Sequence, residues 1–148
     1  MKILAKNKKA YFDYEILKTF EAGLVLKGYE TKAVKGGKLS LNGAFVAFAG
    51  DKPTIINMNI SKYPQAGVLP DYDPTQTREL LLHKNEISYL KGKSQEKGLT
   101  IVPLMVYTNN RFIKVEIGVG RGKKNYDKRE VIKKRDLDRE VKRTLKNI

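Results

Sequence analysis

Short apolar runs of the kind that form β-strands recur along the chain. Residues 44–49 and 54–60 are two such runs, separated by Gly-Asp-Lys-Pro, which favours a hairpin turn. Residues 99–107 and 112–119 form a longer pair around an Asn-Asn sequence, and Asn tolerates the positive φ of a tight turn. Apolar and polar side chains alternate in the last run, so one face of that strand is expected to cover a core.

The remaining patterns predict two more strands and a few helices. Alternation over residues 12–16 and the apolar residues 24–26 indicate strands. Residues 31–35, followed by two glycines, and residues 84–97, with Glu86 in the first turn, indicate short helices. The chain is therefore predicted to be mainly β, with one to three short helices. A small closed barrel of the oligonucleotide-binding (OB-like) type fits this content, by analogy at the level of the fold.

One segment, residues 61–77, has no periodicity and contains three prolines and a glycine. Seventeen residues without a secondary-structure pattern are long for a loop in a compact domain. We therefore expect this loop to be functional or mobile.

Net charge is the strongest indication of function in this sequence. The chain holds 30 Lys and Arg against 16 Asp and Glu, a net charge of +14. Such a field favours polyanions, and nucleic acid is the first choice because neutralised phosphates release counterions. A merely soluble basic protein and a protein of anionic membrane surfaces remain as alternatives. Residues 121–148 carry +7, as much as residues 1–120. We predict an OB-like barrel over 1–122 and a basic tail over 123–148.

Several kinds of site are disfavoured by composition. The chain has no Cys and one His, so disulfides and Cys- or His-based metal sites are not expected, and neither is a cofactor. Asp71 and Asp73 stand in a Pro-rich context that favours a turn over catalysis or Mg²⁺ binding. No apolar run has the length of a membrane span or signal peptide, so a cytoplasmic location is expected. A ribonuclease is the enzyme alternative, disfavoured by the lone His.

Residues 73–82, Asp-Pro-Thr-Gln-Thr-Arg-Glu-Leu-Leu-Leu, closely resemble a motif of the SmpB family, in which basic residues replace Gln76 and Glu79. Further matches follow in the family's order, at residues 7–10, 20–23, 28–32, 57–63, 97–104 and 122–129. The resemblance implies an adaptor, without enzymatic activity, that binds the tRNA-like part of transfer-messenger RNA and delivers it to stalled ribosomes. Another basic barrel protein of translation, such as a ribosomal protein or tRNA-binding module, is the alternative.

The resemblance also implies particular contacts. Its partners are transfer-messenger RNA and the small-subunit decoding region and mRNA channel of the ribosome, bound by a monomer with no membrane contact. The residues implied to contact RNA are Lys8, Lys9, Glu30, Lys32, Asn57, Asn59, Arg78, Leu81 and His83. The residues implied to bind the ribosome through the tail are Lys123, Lys124, Tyr126, Asp127, Lys128, Arg129, Lys133, Lys134 and Arg135.

Two of these residues have structural interpretations as well. Glu30 is either a charge partner inside a basic protein or an acceptor for guanine N1 and N2 or a ribose hydroxyl. His83 is either a helix cap or a partly buried imidazole, or it contacts RNA, since imidazole both donates and accepts hydrogen bonds. The two interpretations of His83 are compatible.

The tail has a helical pattern that is weak in isolation. Leu137, Val141, Leu145 and Ile148 fall on one helical stripe, surrounded by like charges. A helix this short is marginal in water, so we expect a tail that is disordered when free and helical along RNA. Packing of the stripe on the barrel is the alternative. Tyr126, close to Lys124 and Lys128, is a candidate for stacking on an exposed base.

Overall fold

A computed structural model describes residues 1–62 and 72–123. The described strands are β1 (Lys2–Lys6), β2 (Tyr14–Leu24), β3 (Leu39–Ser40), β4 (Phe45–Ala49), β5 (Lys52–Ile56), β6 (Asn59–Ile60), β7 (Arg78–Leu81), β8 (Leu99–Asn109) and β9 (Phe112–Gly122). The described helices are α1 (Lys8–Asp13), α2 (Gly28–Lys35) and α3 (Lys84–Ser94). The predicted tail helix and most of the predicted long loop lie outside the described residues.

The strands form one strongly curved antiparallel sheet. Seven of them pair in the order β1-β8-β9-β2-β7-β5-β4, and β3 and β6 form a separate two-stranded ladder. Strand β4, at one end of this order, contacts β8 near the other end. The sheet therefore curls round a single main core into a barrel, and the predicted mainly β fold with a few short helices is confirmed.

Both predicted hairpins are present, because local turn chemistry specifies them. In the β4–β5 turn Gly50 has a φ of 64°, and in the β8–β9 turn Asn110 has a φ of 58°. The β8–β9 ladder extends from Leu99 opposite Arg121 to Asn109 opposite Phe112. This long hairpin lies between β1 and β2 in the sheet.

Alternation in β9 predicted its buried face correctly. Val115, Ile117 and Val119 are buried, together with Leu90 of α3 and Leu80 of β7. Helix α3 thus packs its apolar side on the barrel core, as the pattern over residues 84–97 predicted. The helix ends at Ser94 rather than Lys97, and Gly98 follows with a φ of 83°.

The strand predicted over residues 12–16 is wrong in its first half. Phe12 lies in α1, and β2 begins only at Tyr14. It ends at Leu24, so it includes only the first residue of the strand predicted at 24–26. The cause is Asn7, whose Oδ1 accepts from the Ala10 N–H at 3.2 Å and caps the helix. Its Nδ2 donates to the Pro103 carbonyl at 2.9 Å, which anchors the cap to β8.

Further elements depart from the sequence patterns. Strand β3 was not predicted, and the apolar run 54–60 is divided between β5 and β6. Strand β1 has exposed lysines at both ends and pairs with β8, and β7 forms inside the family motif; neither was predicted. Helix α2 starts at Gly28, three residues before the predicted start. The Glu30 carboxylate accepts a hydrogen bond from the Lys27 N–H at 3.2 Å. This capping interaction stabilises the first turn, so the helix begins before the predicted start.

Candidate nucleic-acid interface

A buried ion pair lies beneath the sequence-predicted RNA contacts. Glu30 of α2 and Arg78 of β7 each have side chains only 2% exposed, and Arg78 Nη2 lies 2.6 Å from Glu30 Oε2. Arg78 Nε donates to the same oxygen at 2.7 Å, and Nη1 donates to the Met58 carbonyl at 2.6 Å. Nη2 also donates to the Pro74 carbonyl at 3.0 Å. One guanidinium thus joins α2, the β5–β6 connection and the turn before β7.

Hydrogen bonding keeps the Glu30 carboxyl ionised in this site. Burial opposes ionisation and raises its pKa. Donors from the Gln76 side chain, the Lys27 backbone and Arg78, together with the charge of Arg78, outweigh that effect and hold the pKa of Glu30 below its ordinary value. Glu30 is therefore a charge partner, one of the two interpretations of the sequence. Contacts of Glu30 and Arg78 with RNA remain predictions.

The ion pair positions exposed polar groups around it. Asn57 and Asn59 are exposed on either side of Met58, which is fully buried and supplies a carbonyl to Arg78. Asn57 has a φ of 64°, a conformation that Asn adopts more readily than most residues. Lys32 is exposed on α2. These three predicted RNA contacts therefore lie on elements that the buried ion pair joins.

Leu81 and His83 form a second part of the surface, at the end of β7. Across the sheet Leu81 pairs with Gly23 of β2, and Gly23 pairs with Lys114 of β9. Leu81 is 58% exposed, an unusual position for a large apolar side chain in a strand. We refer to the row Leu81, Gly23 and Lys114 as the cross-strand row.

Shallow grooves flank the cross-strand row on both sides. The first, which we call the polar groove, is lined by Glu21, His83 and Glu86 besides the row itself. Burial, together with the hydrogen bond that the Tyr107 hydroxyl donates to Glu21, raises the pKa of Tyr107. The tyrosine therefore remains a donor and holds the Glu21 carboxylate in place.

His83 is exposed at the start of α3. The Glu86 carboxylate accepts from the His83 backbone N–H at 3.1 Å, so the backbone of His83 takes part in capping. The imidazole is at the surface beside the polar groove, where it can donate to or accept from RNA.

The second groove, which we call the hairpin-tip groove, contains residues that the sequence did not single out. Arg111 and Phe112, at the β8–β9 turn, line it with Leu81 and Lys114. Sequence patterns assigned Arg111 to a turn and Phe112 to a strand. A cation and an exposed aromatic at a hairpin tip were the available signal, but only pairing of β7 with β2 brings Leu81 to the same groove.

Lys8 and Lys9 are exposed in a different region, on α1. Lys123, the last described residue of the tail, is tied to this helix: its N–H donates to the Asp13 carbonyl at 2.9 Å and its Nζ to the Tyr11 carbonyl at 3.0 Å. The structure therefore groups Lys8, Lys9 and Lys123 apart from Leu81 and His83. The other predicted tail contacts, from Lys124 to Arg135, lie outside the described residues.

Within residues 1–62 and 72–123, His, Asp and Glu side chains do not gather in any group of three that could hold a metal ion. Over the same residues, each helix is too short or too polar to cross a membrane.

A family model described as SmpB protein matches residues 4–147. The chain belongs to the SmpB family. Two relatives, both called SsrA-binding protein, illustrate the similarity. The protein from Ligilactobacillus salivarius is 49% identical over 97% of this chain and 92% of its own length. The protein from Leuconostoc mesenteroides is 50% identical over 97% of this chain and 93% of its own.

A solved structure described as "tmRNA-SmpB: a journey to the center of the bacterial ribosome" contains a similar chain. It is 42% identical, with a TM-score of 0.69, and the match covers 86% of this chain and 93% of that chain. Sequence and fold therefore agree on the SmpB family, and the resemblance inferred from the ordered motifs is confirmed.

Two residues of this chain differ from the SmpB motif, and the structure accounts for both. Gln76 Nε2 donates to Glu30 Oε2 at 3.0 Å, so it adds a neutral donor to the buried ion pair. Glu79 lies 3.6 Å from Lys52 Nζ on the neighbouring strand, and both side chains are substantially exposed. Neither change disturbs the barrel, because one side chain finds a polar partner and the other faces water.

Proposed function

We propose that the protein binds the tRNA-like part of transfer-messenger RNA and delivers it to stalled ribosomes for trans-translation. Membership of the SmpB family over nearly the whole chain carries this proposal. It belongs in the cytoplasm, where ribosomes work, and acts as a monomer. Its role is to bind and position RNA, without making or breaking a covalent bond and without a cofactor.

The arrangement of the surface supports binding of structured RNA. An exposed leucine, an imidazole and carboxylates lie close together, while the net charge of the chain is +14. Carboxylates repel phosphates, so those of the polar groove suit base edges and ribose hydroxyls. The general positive charge attracts the RNA, and this local polar set selects the part that docks.

Strand β9 connects the proposed RNA-binding surface to the start of the tail. The strand begins at Phe112, beside the hairpin-tip groove, and ends at Gly122, next to the start of the tail. At about 3.3 Å per residue, its two ends are about 33 Å apart along the strand. The barrel can therefore hold transfer-messenger RNA at one end while the tail extends from the other towards the mRNA channel.

Binding should be selective and strongly salt-dependent. We expect log Kd to rise with log salt by about 0.7–0.9 for each phosphate contacted, and ordinary tRNA to compete poorly. Titrations between low and moderate salt, with transfer-messenger RNA and with tRNA of similar length, measure both quantities. Equal competition by tRNA would favour a general tRNA-binding or ribosomal protein, and a flat salt response would contradict the electrostatic argument.

Leu81 and His83 are expected to contribute directly to affinity. His83→Ala removes an exposed imidazole but keeps the backbone N–H that Glu86 caps, so binding should weaken by about 1–3 kcal/mol while unfolding stays cooperative. Leu81→Ala should act in the same direction. Gln95→Ala is a control, since Gln95 is exposed, uncharged and outside both grooves. A loss of cooperative unfolding in His83→Ala would assign His83 a structural role instead.

A further inference from the structure

The hairpin-tip groove has the properties of a nucleotide site. It is an open depression of about 230 Å³ between β2, the β7 end and the β8–β9 turn. After Met1, Phe112 at 67% and Leu81 at 58% are the most exposed large apolar side chains among the described residues, and both line it. Two such side chains on one depression indicate an interaction surface, whereas scattered single ones would not.

The charges around the groove indicate which kind of ligand it binds. Arg111 and Lys114 line it, and Lys114 Nζ lies 5.8 Å from the centroid of the Phe112 ring. An apolar surface flanked by two cations is complementary to a nucleotide, with its flat base and its anionic phosphate. Across the cross-strand row, Glu21 and Glu86 line the polar groove, so a phosphate is favoured only on the Arg111 side.

Gly23 makes room for the exposed Leu81 side chain, which lines the groove. It lies inside β2, where a glycine costs stability, and it lines both grooves. A Cβ added at Gly23 would lie 3.2 Å from the Leu81 Cβ, so an alanine there would require Leu81 to shift slightly. The absence of a side chain at Gly23 therefore lets Leu81 lie across β2 on the surface of the groove.

We propose that the hairpin-tip groove holds one unstacked nucleotide of the bound RNA, with its base on Phe112 and Leu81 and its phosphates at Arg111 and Lys114. This rests on the proposed function, because transfer-messenger RNA supplies the nucleotide. The hairpin-tip groove thus binds the face of an unstacked base, whereas the polar groove contacts base edges and ribose.

Substitution of Phe112 tests the stacking. Phe112→Ala should raise the Kd for transfer-messenger RNA about 5- to 150-fold, the range for losing one base–aromatic stack, while Phe112→Tyr should stay near wild type. The salt dependence of RNA binding by Phe112→Ala should equal that of the wild type. Arg111→Ala and Lys114→Ala should each reduce the salt slope by the amount that corresponds to about one phosphate contact. Phe45→Ala is the matched control, an exposed phenylalanine outside both grooves.

Fluorescence gives a direct readout, because the chain has no tryptophan. Phe112→Trp introduces a single tryptophan, which can be excited selectively over the tyrosines, in the groove, and Phe45→Trp introduces one elsewhere. Binding of transfer-messenger RNA should quench the first strongly and the second weakly. Equal quenching of the two, or an unchanged Kd in Phe112→Ala, would overturn the nucleotide site.

The two proposals fail in different ways. If wild-type protein binds transfer-messenger RNA no better than tRNA, the proposed function fails. If it binds selectively but Phe112→Ala binds equally well, only the groove assignment fails. A Phe112→Ala variant that keeps RNA affinity but loses binding to ribosomes would assign the groove to a ribosomal partner and would also overturn the nucleotide site.

Discussion

Replacing Glu30 with alanine is expected to lower the free energy of unfolding by about 3–5 kcal/mol, the range for breaking a buried ion pair. The variant leaves the Arg78 guanidinium buried without a counterion, although it retains the carbonyls of Met58 and Pro74. A typical domain is stable by about 5–15 kcal/mol, so this is a large fraction of the total. Urea or thermal unfolding of the purified variant measures it.

An exposed ion pair in the same sheet provides the control. Glu79→Ala removes the partner of Lys52 at a distance of 3.6 Å, and it should change stability by no more than about 1 kcal/mol. Replacing Glu30 and Arg78 together by apolar residues should cost less than the sum of the single changes. A Glu30→Ala variant as stable as Glu79→Ala would contradict a structural role for the buried pair.

The same ion pair makes stability depend on pH. The pKa of Glu30 is lower in the folded state than the ordinary value of 4.5. Its contribution is therefore complete above about that pH and is lost as the pH falls towards the lower, folded-state pKa. Wild-type protein should lose stability in this acid range, and Glu30→Ala should lose less.

Removing residues 124–148 is expected to abolish tagging on stalled ribosomes while leaving a folded barrel that binds transfer-messenger RNA. Strand β9 ends at Gly122, and the Lys123 N–H is hydrogen-bonded to α1. The truncation therefore removes no residue of the β8–β9 ladder. The removed segment has ten of the chain's 30 basic residues, so the salt slope of RNA binding should become somewhat shallower. Binding titrations and a tagging assay on stalled ribosomes separate the two effects.

Substitutions inside the tail test which property matters. Reversing the charges of Lys133, Lys134 and Arg135 together should act like the truncation, and Leu145→Asp tests the helical stripe separately. Circular dichroism of the free full-length and truncated proteins should differ by little helical signal. A large loss of helical signal on truncation, with a lower melting temperature, would show that the tail packs on the barrel instead.

Local sequence chemistry predicted the elements that need little help from the rest of the chain. Asn110 and Gly50 sit in tight turns with positive φ, and both hairpins follow from them. Glu86 at the start of α3 and the alternation in β9 are local signals too, and both were interpreted correctly. The ordered motifs, above all residues 73–82, are sufficient to identify the family from the sequence alone.

Elements whose partners are distant in sequence could not be predicted in this way. Helix α1 depends on Asn7, which is anchored to the carbonyl of Pro103, 96 residues away. Strand β1 forms because its backbone pairs with β8, which is about 100 residues away in the sequence. In each case the local pattern suits more than one conformation, and the tertiary contact selects the one that forms.

The family, the mainly β fold and the basic character of the chain are all predictable from the sequence alone. The burial and partners of individual side chains depend on the tertiary structure. The sequence does not show that Arg78, an implied RNA contact, lies in the core, where Glu30, 48 residues away, neutralises it. The sequence also does not show that Leu81, another implied RNA contact, is exposed on the outer face of the sheet, where pairing with Gly23 sets its register. Burial and register depend on what lies across the fold, and a linear sequence does not contain that information locally.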